Sequence, residues 1–143
     1  SDCEFRPRGP RPAGPPIMIG ASEAGPRMTE LVARYGDGWN TWFSSTKNTV
    51  EGLLPLLERV DAACVAADRE PSSLDRSCCV IVEVAPHEPS DMTGVPISGS
   101  PPEIAAALRA YGDVGVSHLQ VWLEPNTPAG IAAFAPVLEE LRS

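Results

Sequence analysis

The stretch PPIMIGASEAGPRMTELVARYGDGWNTW, Pro15 to Trp42, carries two apolar segments, a run of small residues and one helical period in unbroken succession. Ile17, Met18 and Ile19 lie between Pro16 and Gly20, a short apolar run of the kind a parallel strand shows when both its faces are covered. At Pro26 the period changes. Met28, Leu31, Val32 and Tyr35 fall at i, i+3, i+4 and i+7, one face of a helix with a proline in its first turn and Gly36 at its end. Asp37 and Gly38 then turn the chain into a second strand carrying Trp39. Strand, helix and strand in this order make a βαβ unit. Between its first strand and its helix runs Gly20-Ala21-Ser22-Glu23-Ala24-Gly25, followed by Pro26 and Arg27. Small residues before a helix N-terminus present backbone N–H groups and a partial positive charge, which suits an anion.

Outward from this unit the pattern repeats. On the N-terminal side, residues 1–14 are rich in Pro and Arg without period, which reads as an extended leader ahead of a domain spanning 15–143. Its arginines, Arg6, Arg8 and Arg11, are those of a solvated tail. On the C-terminal side, Asn40, Thr41 and Trp42 end the second strand and residues 43–48 read as a polar loop. A long helix follows, with Val50, Leu53, Leu54, Leu57, Val60, Cys64 and Ala67 on one stripe and Pro55 inside it, to start or to kink it. Residues 77–84 alternate and are β-branched, a third strand. A proline-bearing loop over 85–98 leads to Ser100, which stands at capping-box spacing from Glu103, and to a helix with the stripe Ile104, Ala107, Leu108 and Tyr111. His118 to Leu123 is the fourth strand, and Pro128 opens a last helix with the stripe Ile131, Phe134, Ala135, Leu138 and Leu141. Strand and helix alternating four times imply an α/β fold with a parallel sheet and right-handed crossovers. Half of a (βα)8 TIM barrel and a small open sheet both satisfy that order.

Composition narrows the function classes. A net charge of −8 with no Lys/Arg cluster on any predicted helix argues against a nucleic-acid partner. No apolar run approaches the ~20 residues of a membrane span, and no signal-peptide pattern occurs, so the default is no membrane partner and a cytoplasmic location. The four cysteines, Cys3, Cys64, Cys78 and Cys79, lack metal-ligand spacing and are too few for a disulfide scaffold. They are expected as thiols, with Cys64 on a helix face and Cys78 and Cys79 on opposite sides of a strand.

The central stretch resembles the luciferase-like monooxygenase superfamily, in particular its deazaflavin (F420)-dependent oxidoreductases. There an Ile-Gly-x-x-Gly-Pro-Arg loop leads to a helix and on to Asp-Gly-Trp-Asn. Further on, Asp68-Arg69-Glu70-Pro71 resembles the family's Gly-Arg-Asp-Pro, Gly99-Ser100-Pro101-Pro102-Glu103 its Gly-Thr-Pro-Glu-Glu, and Gly115 to Val121 its last strand. The likeness implies the parallel (βα)4 C-terminal half of a TIM (βα)8 barrel, because members of the family have about twice this length. It implies coenzyme F420, or alternatively FMN, as the cofactor, with a small-molecule substrate that variable loops select. It also implies that the residues of the first half, expected to carry chemistry, have no counterpart here.

In such barrels the working residues follow the C-terminal ends of strands. The candidates are therefore residues 20–27, 40–42, 83–88 and 124–126. Gly20, Ala21, Ser22, Glu23, Ala24, Gly25, Pro26 and Arg27 are read as the phosphate loop, although turn glycines serving only the backbone are the commoner case. Asn40 is read as a hydrogen-bond partner of the cofactor ring or a turn cap, and Trp42 as a cofactor-facing or a rim aromatic. His87 is a strand-end acid or base in principle, whereas His118 enters its strand at the opposite face. No nucleophile triad, Walker motif or paired carboxylates can be assembled, so the chemistry belongs to a cofactor. The expected function is an F420- or FMN-dependent oxidoreductase or monooxygenase in its C-terminal half, inactive alone. The alternative is a non-catalytic half-barrel that binds a phosphorylated ligand or a partner chain. Four strands leave two edges, so a homodimer or pairing with an N-terminal half is expected.

Overall fold

The computed structural model describes residues 10–11, 14–85 and 95–143. Its elements are β1 (Met18–Gly20), α1 (Pro26–Tyr35), β2 (Gly38–Thr41), α2 (Phe43–Thr46), α3 (Val50–Ala66), β3 (Asp75–Glu83), α4 (Pro101–Asp113), β4 (His118–Glu124) and α5 (Pro128–Arg142), with a 3-10 turn at Pro71–Ser73. All four strands are parallel and lie in the order β1-β2-β3-β4. A doubly wound open sheet reverses its strand order at a switch point, whereas an arc of sequential neighbours is what closes a barrel. The fold is half of a (βα)8 barrel.

Strand alternation separates two faces. Trp39, Cys78, Val80 and Val82 point to the helices and join Val32, Leu53, Val60, Ile104 and Tyr111 in the main core. On the other face, the inner wall of the half-barrel, Cys79 and Ile81 pack with Phe43 and Trp42. Cys78 and Cys79 thus lie on opposite sides of β3, and Cys64 is buried on α3, all three as free thiols. Burial pushes the Cys78 thiol up to about 12.

The upper half of β3 has an unusual neighbour. β2 pairs with β3 only as far as Thr41 opposite Cys78, while β3 continues to Glu83. Its open edge is closed by Asn48, whose amide accepts from Ile81 N–H (2.9 Å) and donates to the Ile81 and Val95 carbonyls (2.9 Å each). Beyond it, Ile97 N–H donates to Ile81 O and Glu83 N–H to Ile97 O.

Several expectations change. Residues 43–48 are not a loop: Phe43 buries itself under Trp42 and so winds a helical turn, which ends at Lys47 and Asn48 in left-handed conformation (φ 55° and 57°). β1 is short and lies at an edge, with Ile17 and Met18 exposed, so the described residues do not cover it on both faces. α1 buries Thr29, Val32 and Ala33 and leaves Met28, Leu31 and Tyr35 outside, because it packs on α3 through its smaller side chains. α3 runs through Pro55 and buries Leu56 in place of Leu54. α5 buries Gly130 and Val137, while Ile131 and Leu138 stay exposed. The strands also extend a little further than their patterns: β3 starts at Asp75 and β4 reaches Glu124. Most of residues 1–14 and of the 85–98 loop fall outside the described residues, with His87 and Glu88 among them.

Candidate functional site

The loop from Gly20 to Arg27 is tied down from below by side chains of β2 and α3. Trp39 Nε1 donates to Ala21 O (3.0 Å), Thr41 Oγ1 to Ser22 O (3.1 Å) and Arg59 Nη1 to Glu23 O (3.1 Å). With three successive carbonyls engaged, the loop has little freedom to reorganise. Two of its N–H groups are already used, Ala21 on Asn40 O and Ala24 on Ala21 O, and both alanines are buried. Ala24 holds a left-handed φ of 46°. Ser22, Glu23, Pro26 and Arg27 are exposed and Gly25 is half-buried. The tip therefore presents Ser22, Glu23 and Gly25 at the start of α1, and the arginine that anchors it is Arg59. Its spacing within the α3 stripe carries no signal of that role. Glu23 brings a carboxylate to the same tip, held by Ser45 Oγ at 2.9 Å.

Asn40 sits one position past Trp39 and so faces the inner wall. Gly20, Asn40, Ser77 and His118 occupy one register row across all four strands. Ser77 Oγ and His118 Nδ1 are 3.2 Å apart within that row. Asn40 Oδ1 is shut off from solvent and has no hydrogen-bond partner among the described residues. Arg76 Nε and the Tyr111 hydroxyl are likewise buried without a partner, and a buried acceptor left unpaired costs about 1–3 kcal/mol. Gly20 beside it has open space where a side chain would stand.

Above that row the inner wall is aromatic. Trp42 contacts Phe43 (ring centroids 4.9 Å) and meets Trp122 of β4 edge-on (6.1 Å, 78°). Trp122 stands in register with Ile81, one step below the pair Glu83 and Glu124, and its indole N–H donates to Glu124 Oε1 at 2.8 Å. The candidates from three strand ends thus converge on one end of the inner wall. Trp122 was not among the expected site residues. Only the register of β4 against β3, which the alternation pattern does not set, brings it beside Trp42. His118 lies at the opposite end of β4, as expected.

Hollows mark the surface of the described residues. A groove of about 700 Å³ runs between α1 and α3 on the outer side, lined by Ala24, Gly25, Arg34, Arg59 and Ala63 among others. It is larger than the hollow of about 360 Å³ at the β4 edge, which Trp122, Asn126 and Ile131 help to line. The outer groove contains neither Asn40 nor Trp42. Among the described residues no group of His, Cys, Asp and Glu is gathered to hold a metal ion, and no helix is long and apolar enough to cross a membrane.

Residues 2–91 match the family model described as luciferase-like monooxygenase. No curated protein matches the chain. Among solved structures it is similar to the coenzyme F420-dependent tetrahydromethanopterin reductase of Methanopyrus kandleri, with TM-score 0.63 and 14% identity over 89% of this chain and 50% of that one. It is similar also to the long-chain alkane monooxygenase LadA (TM-score 0.64, 9% identity, 86% of this chain and 40% of that one). A third likeness is to an F420-dependent secondary alcohol dehydrogenase in complex with an F420–acetone adduct (TM-score 0.60, 14% identity, 90% of this chain and 49% of that one). These likenesses are likenesses of fold, and the chain spans about half the length, or less, of each structure.

Proposed function

The chain belongs to the luciferase-like monooxygenase family, and from that premise we propose that it is the C-terminal half of a cofactor-dependent oxidoreductase. The cofactor is coenzyme F420, with FMN as the alternative, acting on a small molecule. The observation that carries the reading is the unpaired, buried Oδ1 of Asn40 on the inner wall. The pyrimidine edge of a flavin or deazaflavin ring carries one N–H between two carbonyls, and an acceptor is what that N–H requires. The tip of the Gly20–Arg27 loop, with Ser22 and Gly25 at the positive end of α1, supports a phosphate contact there. Trp42 supplies an aromatic neighbour for the ring. When bound, the cofactor supplies hydride transfer or oxygen chemistry, and the residues of this half bind and orient it.

The order of the family-like segments, from Ile-Gly through Asp-Gly-Trp-Asn to the last strand, supports the C-terminal assignment. The division into a leader over 1–14 and a half-barrel over 15–143 is part of the same proposal. Two F420-dependent proteins among the similar structures favour the deazaflavin over FMN.

Titration of F420 and FMN, followed by absorbance, tests the reading. The chain by itself is expected to bind the ring weakly and to show no turnover with carbonyl or alkene acceptors. Asn40→Leu and Gly25→Asp should each weaken binding, by about tenfold for a lost hydrogen bond to a buried acceptor. A tight complex indifferent to both changes removes the assignment.

A further inference from the structure

We infer that Thr41 and Trp39 of β2 are positioning residues for the phosphate end of the cofactor: they hold the carbonyls of the turn at Ala21 to Ala24 so that its free N–H groups face outward. The inference rests on the reading of residues 20–27 as the phosphate loop and assigns the residues that give this loop its direction. Ala24 N–H donates to Ala21 O and closes the turn. Trp39 Nε1 donates to Ala21 O (3.0 Å) and Thr41 Oγ1 to Ser22 O (3.1 Å), and both of these β2 residues are fully buried. The peptide units of the turn are trans, and in a trans peptide the N–H of the next residue points opposite to the carbonyl. With the Ala21 and Ser22 carbonyls turned into the protein, the N–H groups of Ser22 and Glu23 are turned away from it. Neither donates to a described residue. Successive N–H groups left free in a turn make a concavity that accepts the oxygens of an anion.

Thr41 carries the argument furthest. It ends β2 with no exposed surface, at a position where valine has nearly the same shape and no polar atom to satisfy. The bond its hydroxyl donates goes to Ser22 O, so that buried polar group is satisfied by a loop carbonyl that faces inward. Trp39 acts in the same way, its ring filling the core while its N–H reaches the loop at Ala21. Arg59 Nη1 holds a third carbonyl, that of Glu23, from α3. The N–H behind that carbonyl is the one Ala24 already gives to Ala21 O, so Arg59 fixes the turn without freeing a donor. The Glu23 carboxylate works against an anion at this tip and is engaged by Ser45 Oγ at 2.9 Å. What the turn offers is therefore its backbone, and outward N–H donors suit the anionic phosphate rather than the ring, which needs an acceptor as well.

Riboflavin, which has the ring of FMN and lacks its phosphate, separates the two ends of the ligand. The quantity to measure is the ratio of the riboflavin and FMN dissociation constants, from fluorescence titrations of the chain. The parent should prefer FMN about tenfold or more, within the range of hydrogen bonds to a charged group. Thr41→Val should cut that preference to about twofold and leave the affinity for riboflavin unchanged, whereas Thr41→Ser, which keeps the hydroxyl, should retain it. Trp39→Phe should lower the preference less, because Ala21 O keeps the Ala24 N–H. If Thr41→Val does not fold, Trp39→Phe decides, and a preference unchanged in it overturns the inference. If Thr41→Val lowers both affinities alike, or neither, the positioning role is overturned while the phosphate loop stands. Equal binding of FMN and riboflavin by the parent overturns the inference together with the phosphate contact and leaves the cofactor reading to the ring. If neither flavin binds the parent, the inference falls with the reading it rests on.

Discussion

Asn48 stands in for a strand. Its side-chain amide bonds to both the N–H and the C=O of Ile81 and to the carbonyl of Val95, so one residue fills the β3 edge between the end of β2 and Ile97. It does this from a left-handed backbone, φ 57°, which Asn tolerates better than most residues. Asn48→Ala would strand the buried Ile81 N–H, while the Ile81 carbonyl keeps the Ile97 N–H, and an unsatisfied group costs about 1–3 kcal/mol. The expected loss in a urea or thermal unfolding experiment is about 1–3 kcal/mol, with Asn48→Asp also destabilised because a carboxylate cannot donate to either carbonyl. A change within experimental error would mean that the amide is replaceable by solvent. In the sequence this residue is one polar position among several, since nothing local marks an amide that must reach a strand 33 residues away. Asn40 was legible as a strand-end polar residue, but not that its acceptor would be left without a donor. Likewise Arg69, legible only through a family-like motif, donates to the carbonyls of Val32, Ala33 and Gly36 and so closes the C-terminal end of α1.

At the scale of elements, period and punctuation located the helices well and their buried faces less well. α1 begins at Pro26 and stops before Gly36, α4 begins at Pro101 after Ser100, and α5 begins at Pro128. Proline and capping residues act locally, which is why they can be read without the rest of the molecule. Which face a helix buries depends on its neighbour. α1 meets α3 through Thr29, Val32 and Ala33, so the larger residues Met28, Leu31 and Tyr35 point elsewhere. The cap of α4 yields a pH-dependent test. The Glu103 carboxylate accepts from Ser100 N (2.7 Å) and Ser100 Oγ (2.6 Å), and these bonds hold its carboxyl below the ordinary value of 4.5. A group whose value is lowered by folding stabilises the native state above its unfolded value, and that stabilisation is lost as the pH falls through the folded one. Glu103→Gln should therefore melt below the parent at neutral pH, and the two melting curves should converge as the pH drops below 4.5. Curves that stay equally far apart at every pH would show that the carboxylate charge plays no part in the cap.

For the whole molecule the decisive feature is the number of edges. Four parallel strands in sequential order leave the outer sides of β1 and β4 without a neighbouring strand among the described residues, and unpaired strand edges invite pairing with another chain. Apolar side chains gather at both ends of the sheet: Ile17 and Met18 at β1, and Val121, Trp122 and Ile131 at β4 and the start of α5. Covering each fully is worth about 1.5–3 kcal/mol. A second copy related by a twofold axis along the barrel would set β4 of each chain beside β1 of the other, parallel at both seams, as barrel closure demands. An N-terminal half would cover the same two edges. For the chain by itself the expected state is a homodimer, measured by light scattering coupled to size-exclusion chromatography. Charged substitutions at the seam, Val121→Lys with Ile131→Lys, should shift it to monomer and raise the binding of a dye for apolar surface. The seam would also shape the inner wall, so the same pair of changes should weaken FMN binding even though neither residue is assigned a contact with the ring. A parent chain that elutes as a monomer, melts cooperatively and binds no dye would show that the edges need no cover, and would remove the dimer while leaving the strand order untouched.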